Sequence, residues 1–222
     1  MAVEEKERLS EVEMLFRDIE WHAPSREVRP RSLGISFFDI FFAIIGILVA
    51  LVPIIIIAVA IKLDSKGPIF FTQKRLGQYK KPFWLIKFRT MVTNAEDNGP
   101  MWANENDNRV TRVGYILRKA RLDELPQLFN ILMGNLSFVG PRPIRKYFAD
   151  LLRQYNSEYD KRFLVKPGLS GWAQIFAPYG STIEEQLTKV PYDLRYLKGL
   201  SVKDYLMIIL LTMKTVFTGN GV

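Results

Sequence analysis

The sequence predicts an α+β, mostly helical fold: a re-entrant membrane helix hairpin, then a larger cytoplasmic body with a small β-hairpin and amphipathic interfacial helices. Three observations predict it. Ile35 to Ile61 is apolar apart from Ser36, Asp39 and Pro53. Two short segments that follow, Pro68 to Thr72 and Pro82 to Met91, are rich in aromatic and β-branched residues. Beyond residue 110 the apolar residues recur at helical spacing. The boundaries are an N-terminal arm over 1–34, the membrane helix over 35–62 and the body over 63–222.

In chain order, residues 1–20 read as a short polar helix with Val12, Leu15, Phe16 and Ile19 on one face, a packing arm or a homodimer contact. Trp21 to Ser32 is a loop rich in Pro and Arg. An acidic start without a small-residue cleavage site argues against a signal peptide. From Ile40 to Ile61 there is no charge, and a straight helix of that length crosses a hydrocarbon core of about 30 Å. Pro53 bends such a helix, because it removes a backbone donor and clashes with the preceding turn. Arg26, Arg29 and Arg31 lie before the run; Lys62, Lys66, Lys74 and Arg75 follow it. Positive residues mark the cytoplasmic side. A helix that enters, kinks at Pro53 and returns satisfies both flanks. The alternative, a plain span, puts the first 30 residues outside the cell.

Gly77-Gln78-Tyr79 is the expected hairpin turn, and Lys87 and Arg89 share the polar face of the second strand. They can grip phosphate or simply line a solvated face. Val92 to Asn108 is polar, broken by Gly99-Pro100, and reads as a lid-like loop. Thr111 to Ala120 reads as a helix striped by Val113, Ile116, Leu117 and Ala120, with Arg118 beside the stripe.

Arg118 to Gln127 then sets Asp123 and Glu124 among Arg118, Lys119 and Arg121. Pro126 suits the first turn of a helix from Leu125 to Met133, whose N-terminal end favours negative charge. Neighbours in sequence do not face each other on a helix, so the pair does not share one proton. One carboxylate can serve as a nucleophile while the other orients a metal or moves a proton. The plainer reading makes Asp123 a helix cap and the cations its solvated neighbours.

Leu136 to Pro143 is a tight loop whose prolines fix Arg142, either as a site residue or as an exposed side chain on a turn. Ile144, Tyr147, Phe148, Leu151, Leu152 and Tyr155 form one helical stripe. Helices are also expected over Ile183 to Lys189, Tyr192 to Leu197 and Leu200 to Phe217, the last at the interface or packed on the body.

Composition excludes some chemistries. There is no cysteine and one histidine, His22, which removes Cys/His zinc sites and disulfides and disfavours His-dependent triads. No Walker loop or strand-linked GxGxxG is present. Residues 1–36 carry 6 basic and 8 acidic side chains, so the body carries the whole excess of the +8 net charge. Such a body suits a membrane surface or a phosphorylated substrate. With so apolar a run, nucleic acid is the weakest partner.

Five blocks occur in order: Lys66-Gly-Pro-Ile-Phe-Phe-Thr-Gln-Lys-Arg-Leu-Gly77, Lys87-Phe-Arg-Thr-Met91, Leu122-Asp-Glu-Leu-Pro-Gln127, Ser137-Phe-Val-Gly-Pro-Arg-Pro143 and Pro167-Gly-Leu-Ser-Gly-Trp172. Together they resemble the bacterial sugar transferase family, the monotopic phosphoglycosyl transferases that start glycan assembly at the bacterial inner membrane. The resemblance implies transfer of a phosphosugar from a nucleotide diphosphate sugar, expected to be a UDP-sugar, to polyprenyl (undecaprenyl) phosphate. It implies a first membrane step in exopolysaccharide or other glycan synthesis, with the catalytic domain on the cytoplasmic face. Asp123 is then the nucleophile and Glu124 its partner; both are candidates to hold Mg2+, and Arg118 is a phosphate contact. Lys87, Arg89 and Arg142 join it as phosphate or substrate contacts, and Pro53 is the membrane kink. Two departures stand out. Val52 takes the place of a serine common before the proline, and Ala177-Pro-Tyr-Gly180 replaces a Gly-Arg-Asn run. The competing reading is a non-catalytic basic scaffold on the membrane surface.

Overall fold

The computed structural model describes residues 31–97, 99–102, 107–177, 180 and 182–217. The predicted arm over 1–20 lies outside them, as does part of the loop over Val92 to Asn108.

Leu33–Asp64 forms one helix, α1, of 32 residues. At about 1.5 Å per residue it is roughly 48 Å long. Ser32 caps it by accepting from the Gly34 N–H at 3.2 Å. Where the sequence suggests a helix hairpin, the helix continues through Pro53 to Asp64. One stripe is buried: Ile35, Asp39, Ala43, Ala50, Ile57 and Ile61. Ile35 packs with Val139, Tyr205 and Ile208; Ala43 packs with Phe83 and Leu128; Ile57 and Ile61 pack with Phe88 and Leu117. Most of the remaining surface is exposed and apolar; Leu48, Val49 and Ile56 each show more than 60% of their area, being 68%, 73% and 63% exposed. The helix therefore lies along the body over its length and turns an apolar flank away from it.

β1 (Phe70–Leu76) and β2 (Pro82–Phe88) pair antiparallel, from Phe70 opposite Phe88 to Leu76 opposite Pro82. The first strand thus runs past Thr72, and the turn falls at 78–80, where Tyr79 and Lys80 take positive φ. Residues directly opposite share a face. One face carries Phe71, Gln73 and Arg75 with Phe83, Leu85 and Lys87.

α2 (Arg112–Lys119) starts at Thr111, whose hydroxyl accepts from Gly114 N. Its buried stripe is narrower than its sequence suggests, since Ile116 is exposed. α3 (Gln127–Leu132) packs on α1, with a Leu128 methyl 3.1 Å from where a Cβ on Gly46 would lie, a tight approach of the two helices. β3 (Ser137–Val139) and β4 (Gly168–Ser170) form a short parallel pair. A Cβ on Gly168 would meet Gly140 N at 2.0 Å, so this approach needs glycine.

α4 (Lys146–Tyr155) buries Phe148, Ala149 and Leu152 against Tyr159, Leu187 and Leu194, while Tyr147 and Tyr155 of its expected stripe face outward. α5 (Trp172–Phe176), α6 (Ile183–Leu187) and α7 (Val190–Leu194) are short. α8 (Val202–Phe217) packs on the body through Tyr205 and Ile208.

Candidate active site

The chain leaves α2 through Arg121, which adopts the left-handed conformation at φ 57. For a residue with a Cβ this costs on the order of 1–3 kcal/mol. It redirects the backbone into a 3-10 turn, Leu122–Glu124, and only then into α3. Asp123 and Glu124 are therefore on this turn, ahead of a helix that begins at Gln127 rather than Leu125. The residue at the N-terminal cap of α3 is Pro126, so Asp123 is not a helix cap.

Both carboxylates are buried, at 7% and 9% exposure. Lys87 Nζ lies 3.5 Å from Asp123 Oδ2 and 3.2 Å from Glu124 Oε1. Arg142 donates to both Glu124 oxygens, through Nη2 to Oε1 and through Nη1 to Oε2 at 3.4 Å. This fork places a full positive charge on one acid of the pair. Burial works against the Glu124 charge, but Arg142 and Lys87, with Arg121 behind them, hold its carboxyl well below the usual range. Asp123 moves the other way. Burial raises it, and the Glu124 charge adds to that, against the pull of Lys87, Arg142 and Arg118. Environments that drive two acids apart in this way separate their roles.

Each cation is positioned by its own neighbours. Asn130 is fully buried in α3; its Nδ2 donates to Trp84 O at 2.7 Å and its Oδ1 accepts from Ile86 N at 3.0 Å. That pins β2, and so Lys87, over the acid turn. Arg142 sits on the loop after β3. Gly168 N donates to Pro141 O, Arg162 donates to Arg142 O at 2.8 Å, and Arg75 donates to Pro143 O at 3.3 Å. Arg162 itself pairs with buried Asp193 at 2.9 Å. Arg118, on the last turn of α2, adds its charge to the surroundings of Asp123, behind Lys87 and Arg142.

Arg89 is placed differently from its expected role. β2 ends at Phe88, and the buried Arg89 guanidinium donates to Ser65 O, Lys66 O and Pro68 O at 2.8, 2.6 and 2.7 Å. It ties down the chain leaving α1 instead of facing the acids. Strand alternation predicts a shared face only while the strand lasts. Sequence reasoning also passed over Asn130 and Arg75. A polar residue inside the apolar stretch 128–132 was the one available signal for Asn130.

For a divalent metal, the described residues hold no cluster of three or more His, Cys, Asp or Glu. They do not form an all-protein cage. Two adjacent carboxylates, one already matched by Arg142, would suit a magnesium ion that takes only one or two protein carboxylates.

The sequence model of the family described as "Bacterial sugar transferase" matches residues 31–219. The chain is 40% identical over 183 residues to the UDP-N-acetylgalactosamine-undecaprenyl-phosphate N-acetylgalactosaminephosphotransferase of Aeromonas hydrophila, covering 82% of this chain and 43% of that one. It is 44% identical over 170 residues to the UDP-glucose:undecaprenyl-phosphate glucose-1-phosphate transferase of Klebsiella pneumoniae, covering 75% and 37%. A protein of that same name from Caulobacter vibrioides is 40% identical over 170 residues, covering 76% and 64%. The chain thus spans less than half the length of the first two relatives. With the match running over nearly all of its described residues, this chain belongs to the bacterial sugar transferase family.

Proposed function

We propose that this chain transfers a phosphosugar from a UDP-sugar to undecaprenyl phosphate, with Asp123 as nucleophile. The observation that carries this reading is the unequal pairing of the two buried acids. Arg142 forks onto Glu124, whereas Asp123 meets only the Lys87 ammonium, at 3.5 Å, among the described cations in direct contact. An Asp123 oxygen attacks the phosphorus that bears the sugar. The bond from that phosphorus to the bridging oxygen breaks, and UMP leaves with that oxygen. The product on the enzyme is an aspartyl phosphosugar, a mixed anhydride. A phosphate oxygen of undecaprenyl phosphate then attacks the same phosphorus, frees the Asp123 carboxylate and yields undecaprenyl-diphosphate sugar.

The obstacle is repulsion between a carboxylate and a phosphoryl group. Lys87 and Arg142 offset it from fixed positions, which costs no reorganisation as the reaction proceeds. Arg118 adds to the same field. Magnesium, when bound by Asp123 or Glu124 together with the diphosphate, would neutralise charge on the departing phosphate.

The membrane geometry follows from α1. Asp39, near its start, is bonded to Ser137, Phe138 and Tyr205, and Asp64, at its end, accepts from Val113 N at 3.1 Å. Both ends are held by one body, which favours placing them on the same side of the bilayer. That supports a re-entrant helix in the cytoplasmic leaflet of the inner membrane, with Pro53 in its deep part. Leu128, from the helix that follows the acid turn, packs on Ala43 of α1, which supports a site for Asp123 close to the lipid boundary.

The test is a panel of UDP-sugars given with undecaprenyl phosphate to the purified chain, scored for UMP. The expected result is UMP release with one sugar, and a phosphosugar adduct in the intact mass when acceptor is withheld. Asp123→Asn abolishes both. Turnover retained in that variant would remove Asp123 as the nucleophile. A basic scaffold without catalysis gives no UMP with any donor, and it leaves the buried acid pair without a purpose.

A further inference from the structure

The reactive face of the hairpin continues past the acids. Lys87 stands opposite Phe71 and shares its face with Gln73 and Arg75. Arg75 is four residues along β1 from Phe71, about 13 Å at roughly 3.3 Å per residue. Across from this row lie Arg142 and Arg145. Two of the cations have acids of their own. Arg142 is on Glu124, and Arg145 donates to Glu96 at 2.8 Å, an acid also held by Gln73 at 3.1 Å. Arg75 makes one long bond, to the Pro143 carbonyl, and its buried Nε has no partner among the described residues. Burial, and then repulsion from Arg142 and Arg145, push the Arg75 guanidinium down to about 9, with Glu96 and Glu124 offsetting only part of this. Three guanidiniums against two carboxylates, half out of solvent, leave a positive charge that an incoming anion would satisfy.

Arg75 also lines a groove of about 410 Å³ between the hairpin tip and α4. Its lining combines the apolar Leu76, Pro82 and Ala149 with the cations Lys74, Lys80, Lys146 and Arg153 and the acids Asp150 and Asp160. Lys80, Lys146 and Arg153 pair with Asp150 and Asp160 in exposed contacts, which contribute little and exchange readily for another anion. Apolar side chains beside an excess of cations suit a flat base and ribose behind a phosphate, and the volume is within the range of small-molecule sites.

We propose that this groove seats the nucleoside monophosphate half of the donor, with Arg75 holding the phosphate that leaves. The inference rests on the phosphosugar-transfer reading and extends it. The sugar phosphate then lies at Asp123 between Lys87 and Arg142. The second phosphate reaches Arg75, and the nucleoside lies over Leu76 and Pro82. Arg75 is a binding residue for the leaving group, on the same face of the hairpin as Lys87 but at its far end.

The experiment is titration of UMP and of uridine into the full chain in detergent, for the parent, Arg75→Gln and Lys146→Glu. Lys146 is exposed, so its change leaves the core intact. Losing a charge-assisted contact should weaken UMP about tenfold to a hundredfold in Arg75→Gln while uridine binding is unchanged, which narrows the preference for UMP over uridine. Lys146→Glu should weaken UMP about threefold or more through like charge. In turnover, the donor KM and the inhibition constant of UMP should rise together. If Arg75 only braces the Pro143 loop, kcat falls and the UMP-to-uridine preference stays put, which overturns the proposal. If Arg75→Gln loses flotation with phosphatidylglycerol vesicles yet keeps UMP, the groove takes a lipid headgroup and the proposal is again overturned. Should Arg75→Gln fail to fold, parental UMP affinity in Lys146→Glu has the same force. A parent chain that releases UMP while both variants keep its UMP affinity sinks this inference alone. A parent chain that neither binds nor releases UMP sinks the transfer reading beneath it.

Discussion

Asp39→Ala tests whether the apolar helix is built into the body or merely attached to it. Asp39 is 4% exposed within α1. It accepts from the Arg31 guanidinium, from Ser137 Oγ at 2.9 Å, from Phe138 N at 3.1 Å and from Tyr205 Oη at 2.8 Å. Alanine leaves all four donors short of an acceptor, and breaking a buried ion pair costs about 3–5 kcal/mol. Arg31 has a quarter of its side chain exposed and regains some hydration, so the lower end, about 3 kcal/mol, is the better estimate. For a chain of this size each kcal/mol moves the melting midpoint by about 2–4 °C, giving a drop of roughly 6–12 °C. Asp39→Asn keeps an acceptor for the neutral donors and should lose about half as much. The assay is thermal unfolding in detergent followed by circular dichroism, with UMP release measured on the same samples. Activity should fall as well, because Ser137 begins the strand that leads into Arg142. An alanine variant melting within 2 °C of the parent would refute the reasoning, since nothing of that network would then be holding the helix.

Glu124→Gln should lower the rate at least about tenfold, because Arg142 and Lys87 lose the charge that fixes them. The acid limb of its pH–rate profile should also move to lower pH, since the Glu124 charge helps to raise Asp123; an unmoved limb would break the assigned coupling. Asp193 is pushed up to about 6, chiefly by burial. A raised carboxyl is protonated more readily when folded, so its contribution grows as pH falls from 7 toward 4, by about 3 kcal/mol at most. The depressed Glu124 works oppositely, but its stabilisation is lost only below the ordinary glutamate range. Asp193→Asn should therefore flatten the pH 7 to pH 4 stability curve measured by urea unfolding, and an unaltered curve would contradict the shift. The chain has no native cysteine, so Leu33→Cys and Leu63→Cys are clean topology probes. Neither should react with an impermeant reagent outside intact cells. Labelling at one of them alone would establish a crossing.

Much of the architecture was legible because it rests on local pattern. The apolar run, the aromatic strands and the helical spacing after residue 110 each follow from side-chain periodicity. The acid turn and its flanking cations were visible as neighbours in sequence. What escaped depends on long-range placement. Asp39 read as an interruption of an apolar run, because Ser137, Phe138 and Tyr205 are about a hundred or more residues away. Arg89 and Lys87 looked equivalent by alternation, yet the strand ends between them and sends one to backbone carbonyls and the other to the acids. Arg75 looked like a flanking charge of the membrane run and turned out to lie beside the loop that carries Arg142.

These misses share a cause that bears on how the acid pair is held. A buried charge is retained only where partners meet it. Outside the acid turn the buried charges among the described residues are Asp39, Arg89, Arg162 and Asp193; Arg89 ties down the chain leaving α1, and the other three support segments that lead to Arg142. Asp39 holds the start of β3, and Arg162, paired with Asp193, grips the Arg142 carbonyl. Arg142 stands on a loop with no helix behind it, so without these braces its guanidinium would sample many positions. The fork onto Glu124, and with it the unequal pairing of the two acids, requires one position. The apolar helix is thus part of the framework around the acid pair. Through Asp39 it is tied to the strand that leads into Arg142, the cation that forks onto Glu124, so a displacement of α1 would reach the acid pair by way of β3.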